Sequence, residues 1–108
     1  QKFLGVRSDT LAAHGAVSKP VAREMAEGAR RQTGADYALS VTGIAGPDGG
    51  TTEKPVGTVF IGLAGPAGTV VERNFNPYDR ETFKQVTAQQ ALELLRQRLT
   101  AARTAGGA

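Results

Sequence analysis

A chain of 108 residues has room for one domain around a single core, and its 40% apolar and 21% charged content is that of an ordinary globular protein. With no cysteine it has no disulfide, thiolate metal site or thiol nucleophile, and a single histidine, His14, gives little support to a histidine zinc site or a Ser/His dyad. The net charge of +3 invites a nucleic-acid reading, but acids and bases alternate, Arg30–Arg31 is the only adjacent cation pair and no basic–aromatic interleaving occurs, so no nucleic-acid partner is expected.

Along the chain, Ser8 to His14 has the makings of one or two helical turns ended by Gly15. Ser18 can cap a helix running to Thr33, with Gly34 as its terminating residue. Ala22, Met25, Ala26 and Ala29 form its apolar stripe, Glu27 and Arg31 pair on its wet face, and Gly28 asks for close packing against a neighbour. Asp36 to Thr42 reads as a strand apolar or small on both faces, as expected between two helical layers. Val56 to Ala64 is a second buried strand; the turn Gly65 to Gly68 joins it to a third, Thr69 to Phe75, whose Glu72 and Arg73 place it toward an edge. Asp79 caps a long helix to Arg103 with the stripe Ala88, Ala91, Leu92, Leu95 and Leu99. The expected fold is α/β, a three-layer α/β/α sandwich with a mixed sheet, over residues 1–104, with residues 105–108 as a disordered tail. Three strands make a thin sheet, so uncovered apolar faces at Val59, Ile61 and Leu63, or on the helix from Ala22 to Ala29, and hence a homo-oligomer, are anticipated.

Between the first two strands lies a stretch that obeys no apolar period. Gly43, Gly46, Gly49, Gly50 and Gly57, with Pro47 and Pro55, dictate its shape. Long loops in compact domains are usually functional or disordered, and this one reads as a shaped loop offering backbone N–H groups to an anionic or carbonyl-bearing ligand.

The run GIAGPDGGTTEKPVGTVFIGLA resembles the signature loop and following strand of the CinA C-terminal domain family, the nicotinamide-nucleotide amidases linked by name to competence and damage induction. LAAHGAVSKPVAREMAEGAR, from Leu11, is similar to the family's preceding helix, and YDRETFKQVTAQQALELL, from Tyr78, to its last helix. The resemblance implies hydrolysis of the carboxamide of nicotinamide mononucleotide to nicotinic acid mononucleotide and ammonia; no cofactor or metal is expected, and with neither a membrane span nor a signal peptide in the sequence a cytoplasmic protein is expected. The resemblance also implies a serine nucleophile and a catalytic lysine in segments that family members carry upstream of the position matching Gln1, so this chain corresponds to the C-terminal two-thirds of the domain, truncated at its N-terminus. No catalytic residue is therefore assigned within it, and the fragment alone is expected to be inactive. Three positions depart from the family pattern: Asp48 and Tyr78 stand where glycine is commoner, and Lys84 where a second arginine is frequent.

The substrate-binding candidates are Thr42, whose hydroxyl could donate to a carboxamide or phosphate; Gly43, Ala45 and Gly46, whose N–H groups could form an anion nest; and Arg80, a phosphate clamp in the first turn of the last helix. Each has a plain counterpart: a capping hydrogen bond, a tight turn, a surface arginine. Glu53 and Lys54 read as a solvated pair, His14 as a helix-end residue and Ser40 as a small packing residue. No run of about 20 apolar residues suggests a membrane span, and the N-terminus lacks the features of a signal peptide. A non-catalytic nucleotide-binding or interaction module tied to competence or DNA damage is the alternative function.

Overall fold

The computed structural model describes residues 6–44, 51 and 54–106. In chain order the elements are α1 (Ser8–His14), α2 (Lys19–Thr33), β1 (Ala38–Gly43), β2 (Thr58–Gly65), β3 (Gly68–Phe75) and α3 (Arg80–Gly106). The sheet order is β1-β2-β3 and both pairings are antiparallel, so among the described strands the sheet is purely antiparallel rather than mixed. The loop after β1 carries the chain straight back alongside it, and the Gly65–Gly68 hairpin does the same for β3, so no crossover is needed.

β2 lies at the centre and is buried on both faces from Thr58 to Ala64. Its odd residues Val59 and Ile61 join Phe83 and Ala91 of α3 in one cluster, with Leu39 and Leu94 against it. Its even residues face α2: a Cβ at Gly62 would stand 2.6 Å from the Ala22 carbonyl oxygen, and Ser40, opposite Gly62, donates its hydroxyl to that same oxygen at 2.6 Å. The three layers are therefore α2, sheet and α3. Glycine at 62 is required here by the close approach of the helix backbone, not by its φ.

α2 begins and ends as its sequence dictates. The Val21 N–H donates to Ser18 Oγ, Pro20 stands in the first turn, and Gly34 closes the helix at φ 70° with its N–H on the Arg30 carbonyl. Ala22 and Ala26 are fully buried, and Gly28 is buried with them. α1 is tied on by Glu24, whose carboxylate accepts the Arg7 N–H at 2.8 Å and the Thr10 hydroxyl at 2.7 Å.

α3 departs from its expected orientation. Its inward face is Phe83, Thr87, Ala91 and Leu94, whereas Leu92 is 62% and Leu99 41% exposed. Two neighbouring stripes on this helix are apolar enough to be buried, and interactions at its start choose between them. Phe83 packs beside Gly43, and the buried Asn76 donates to Thr87 Oγ1 at 3.0 Å and to Gln90 Oε1 at 2.8 Å. The exposure anticipated at Val59, Ile61 and Leu63 is absent, since α3 covers them and all are within 2% of full burial. Uncovered apolar surface falls instead on Val41, on Phe75 at the end of β3 and Tyr78 beyond it, and on Leu92 and Leu99 of α3. The helix also continues through Gly106, two residues into the stretch expected as a tail.

This orientation is tested by a pair of truncations. Phe83→Ala should cost about 3–5 kcal/mol by opening a core cavity, and Leu92→Ala should stay within about 0.5 kcal/mol, both read by denaturant unfolding. The reverse ranking would restore the helix face expected from sequence. A second expectation concerns acid. The Arg7 N–H, opposed in part by desolvation and helped by the Thr10 hydroxyl, holds the Glu24 carboxyl below the ordinary glutamate range. A depressed folded pKa contributes stability that is present above the unfolded value and lost as pH falls through the folded one. α1 should therefore loosen first on acidification below the usual glutamate range, seen as faster amide exchange at Leu11 and Gly15, and Glu24→Gln should flatten that pH dependence.

Candidate functional site

Of the residues singled out from sequence, Thr42, Gly43 and Arg80 are described, and they lie toward one pole of the sheet, where β1 ends, β2 begins and α3 starts. The ladder between β1 and β2 does not stop cleanly there. The Ile44 N–H donates to the Thr58 carbonyl at 2.9 Å, while the Ile44 carbonyl accepts from the Gly57 N–H at 2.6 Å. Two residues of one strand thus oppose one of the other, a bulge in which Gly57 takes φ 103°. The Asn76 N–H then donates to the Gly57 carbonyl at 2.7 Å, so Ile44, Gly57 and Asn76 form one row across the pole. A side chain at Gly57 would be strained and would also meet Pro77 Cα at 2.9 Å. Gly57 was legible as a loop glycine; its place in a bulge becomes visible only once the β1–β2 register is known.

Thr42 is 8% exposed and its hydroxyl donates to the Ala16 carbonyl at 2.8 Å. That donor is engaged within the protein, leaving the oxygen lone pairs as its remaining capacity. Gly43 lies in the strand, opposite Val59. Because Ile44 bonds to Thr58, alternation along an antiparallel pair turns the Gly43 N–H away from β2, to the outer edge of β1. No strand lies beyond that edge among the described residues. A Cβ at Gly43 would come within 2.9 Å of the Thr58 carbonyl oxygen and 3.1 Å of Phe83 Cζ, so close packing explains this glycine. Ala45 and Gly46 lie outside the described residues, as do Asp48 and Glu53.

The first turn of α3 approaches the same place through Phe83. Asp79 caps it, accepting the Thr82 N–H at 2.8 Å and the Thr82 hydroxyl at 3.2 Å, and these bonds lower its carboxyl pKa below the ordinary aspartate range. Arg80 follows, fully on the surface. Lys84, one turn on, faces Glu81 at 3.8 Å. The structure thus brings Thr42, Gly43 and the α3 turn carrying Arg80 to one end of the sheet.

Sequence reading missed a clamp on the loop. Lys54, expected to be solvated, donates from Nζ to the Val17 carbonyl at 2.6 Å. Thr51 and Lys54 close a tight turn, with the Thr51 N–H on the Lys54 carbonyl and the Lys54 N–H on Thr51 Oγ1, both at 2.9 Å. Thr42 on one side of the loop and Lys54 on the other therefore grip adjacent carbonyls of the α1–α2 connection, Ala16 and Val17. Only the lysine's spacing from Thr42 across the loop could have hinted at this. Ser40, engaged with Ala22, is the packing residue it was read as. Among the described residues no three His, Cys, Asp or Glu side chains converge on a metal position, and no described helix is long and apolar enough to cross a membrane.

Comparison with known proteins places the chain in a family. The model of the CinA C-terminal domain matches residues 1–99. The chain belongs to that family. A CinA-like protein of Anaeromyxobacter sp. (strain Fw109-5) is 57% identical over 96 residues, covering 89% of this chain and 23% of that protein. A CinA-like protein of Geobacter sulfurreducens is 52% identical over 102 residues, covering 94% and 25%. Among solved structures, the competence/damage inducible protein CihA from Agrobacterium tumefaciens superposes with a TM-score of 0.82 at 39% identity, over 88% of this chain and 59% of that one. The competence damage-inducible protein A (ComA) from Klebsiella pneumoniae gives 0.84 at 38% identity, over 91% and 61%. The chain thus spans about a quarter of these relatives and about three-fifths of these solved chains. The layered α/β architecture is shared with these CinA proteins.

The bulge is the part of this pole that a single atom can test. Gly57→Ala places a methyl against Pro77 and forces a positive φ, with strain of roughly 1–3 kcal/mol before the collision is counted. The expected outcome is a clear loss of stability together with faster exchange of the Ile44 and Asn76 amides. An unchanged unfolding midpoint would show that the loop adapts without the bulge.

Proposed function

We propose that this chain is the substrate-positioning part of a nicotinamide mononucleotide amidase of the CinA family, a cytoplasmic protein. In that reaction water replaces the amide nitrogen at the carboxamide carbon: the C–N bond breaks, a C–O bond forms, and ammonia leaves with nicotinic acid mononucleotide as the other product. The observation that carries the reading is the family match over residues 1–99 joined to the geometry of the pole, where the Gly43 N–H faces outward from β1, Phe83 of α3 packs against Gly43, and Arg80 in the first turn of that helix is exposed.

Within this reading the residues divide the work by what they have free. Backbone N–H groups at Gly43, and in the proposal also at Ala45 and Gly46, serve the carboxamide oxygen or a phosphate oxygen, because such donors cost no side-chain ordering. Arg80 serves the phosphate with its planar fork of N–H donors. Thr42 contributes as an acceptor and as the residue that fixes the end of β1, since its own proton is on Ala16. The nucleophilic serine and its lysine are assigned to polypeptide outside these 108 residues, as the family resemblance implies.

One observation favours a second reading, in which the chain binds a nucleotide or a partner without catalysis. Two of its three serines are committed to the fold, Ser18 as the α2 cap bonded to Gly15 and Ser40 to Ala22, and Ser8 opens a peripheral helix. Ammonia release separates the two. The 108-residue chain should show none above background, and a longer protein including the upstream part of the domain should show turnover. In that longer protein Arg80→Gln should weaken nucleotide binding about tenfold with an unchanged unfolding midpoint, because the side chain is exposed. Turnover by the short chain at about 1 s⁻¹ or more would place the catalytic group among residues argued here to be structural. No turnover by the longer protein, with nucleotide binding retained, would favour the second reading.

A further inference from the structure

The opposite pole, at the β2–β3 hairpin, carries a cavity that the amidase reading leaves unused. It has a volume of about 200 Å³ and lies on the α3 side of the sheet, between Tyr37, Leu63, the turn residues Gly65, Ala67 and Gly68, and Arg98 and Ala101 of α3. Tyr37 forms one wall. Its ring lies so close over Gly65 that a Cβ there would stand 2.7 Å from the ring edge, so the absence of a side chain at Gly65 sets the position of the aromatic face. Leu63 is buried and supplies the floor, with the methyls of Ala67 and Ala101 beside it.

Arg98 is the single charge in this lining, and it is half-buried. Among the described residues it has no hydrogen bond and no ion pair: the nearest carboxylate on its own helix, Glu93, is engaged by Arg96 and Gln97. An arginine lining an apolar floor, without a carboxylate partner, has its guanidinium donors available to an anion. On the other side of the hairpin a cleft of about 590 Å³ shares Gly65 and Gly68 and carries Arg30 and Arg31 against Glu27, with Asp36 beside Arg30, so cations and acids are balanced there and Arg98 is the charge that marks the smaller cavity.

The geometry points to a binding site for a small aromatic carboxylate, its ring between Tyr37 and Leu63 and its carboxylate on Arg98. Size selects the class. Pockets for drug-sized ligands run from about 300 to 1,000 Å³, so 200 Å³ accommodates one ring with its carboxylate and excludes a nucleotide. A lone arginine with apolar walls suits one carboxylate better than a phosphate ester, which would leave further oxygens without donors.

Amide NMR of the intact protein titrated with benzoate tests this, with benzamide as a probe of the same shape without the charge. Benzoate to about 20 mM, a range that covers weak millimolar binding, should give saturable shifts at Gly65, Gly68 and Ala101, with benzamide at least about tenfold weaker. Arg98→Gln should lose about tenfold in benzoate affinity and leave benzamide unchanged. Ala101→Leu, a substitution favourable in a helix, should fill the cavity and abolish the response to both. Shifts that do not saturate, equal affinity for the two probes, or wild-type benzoate binding by Arg98→Gln would each overturn the assignment.

Discussion

Both faces of β2 are out of water, and that constraint organises the molecule. A strand buried on two sides needs a helix on each, and the two helices meet it differently. On the α3 side the contact is side chain against side chain, with Val59 and Ile61 set among Phe83, Ala91 and Leu94. On the α2 side it is nearly backbone against backbone. Gly62 leaves room for the Ala22 carbonyl, and Ser40, next to it on β1, satisfies that carbonyl. A buried hydroxyl here has a definite partner, as buried polar groups must. The small-residue stripe of α2 is thus the consequence of a helix lying close on a glycine-bearing strand.

The same central strand dictates what happens at its ends. At the hairpin end the ladder runs in register up to Gly65 and Gly68. At the loop end β2 has two neighbours to satisfy and one residue too many, and the bulge at Gly57 absorbs the excess. Bulges next to functional segments re-aim the chain. Here the bulge turns the strand away just where Asn76 and Pro77 cross, and it sets the start of α3 against Gly43. Asn76, bonded by its backbone to Gly57 and by its side chain to Thr87 and Gln90, links the bulge to the rotational phase of α3. One backbone irregularity therefore reaches both the candidate site and the packing of the last helix.

Much of this was readable from residues alone, for reasons that can be named. α2 was legible because its signals are local: a capping serine, a proline in the first turn and a glycine at positive φ after the last. The three strands and the hairpin were legible from apolar runs punctuated by glycine and proline. The face of α3 was legible only at Ala91, which belongs both to the expected stripe and to the buried one; Phe83, Thr87 and Leu94 complete the buried face, and tertiary contacts at the helix start select it over Ala88, Leu92 and Leu99. The direction of β1 against β2 was not legible: the order helix, strand, loop, strand, strand, helix was read as a mixed sheet, whereas β1 and β2 pair antiparallel. At the candidate site the residue types were visible and their hydrogen-bond commitments were not.

Those commitments separate the fold's polar groups from the ones left over for chemistry. A hydroxyl has one proton to give. Thr42 gives it to Ala16, Ser40 to Ala22 and Thr58 to Pro55, and Lys54 spends a donor on Val17. Each bond holds a strand end or the loop to the helices behind it, so these groups shape the pole more than they offer themselves to a ligand. What faces outward is of another kind: a backbone N–H at the outer edge of β1 and a guanidinium at the start of a capped helix. Both are donors, one on a strand edge with no described neighbour and one on a helix capped by Asp79. Two such donors are complementary to negative charge, whether on a phosphate or on an oxygen that becomes negative during reaction. In the proposed reading the pole holds and polarises a substrate, and the serine and lysine that would make and break bonds belong to polypeptide outside these 108 residues.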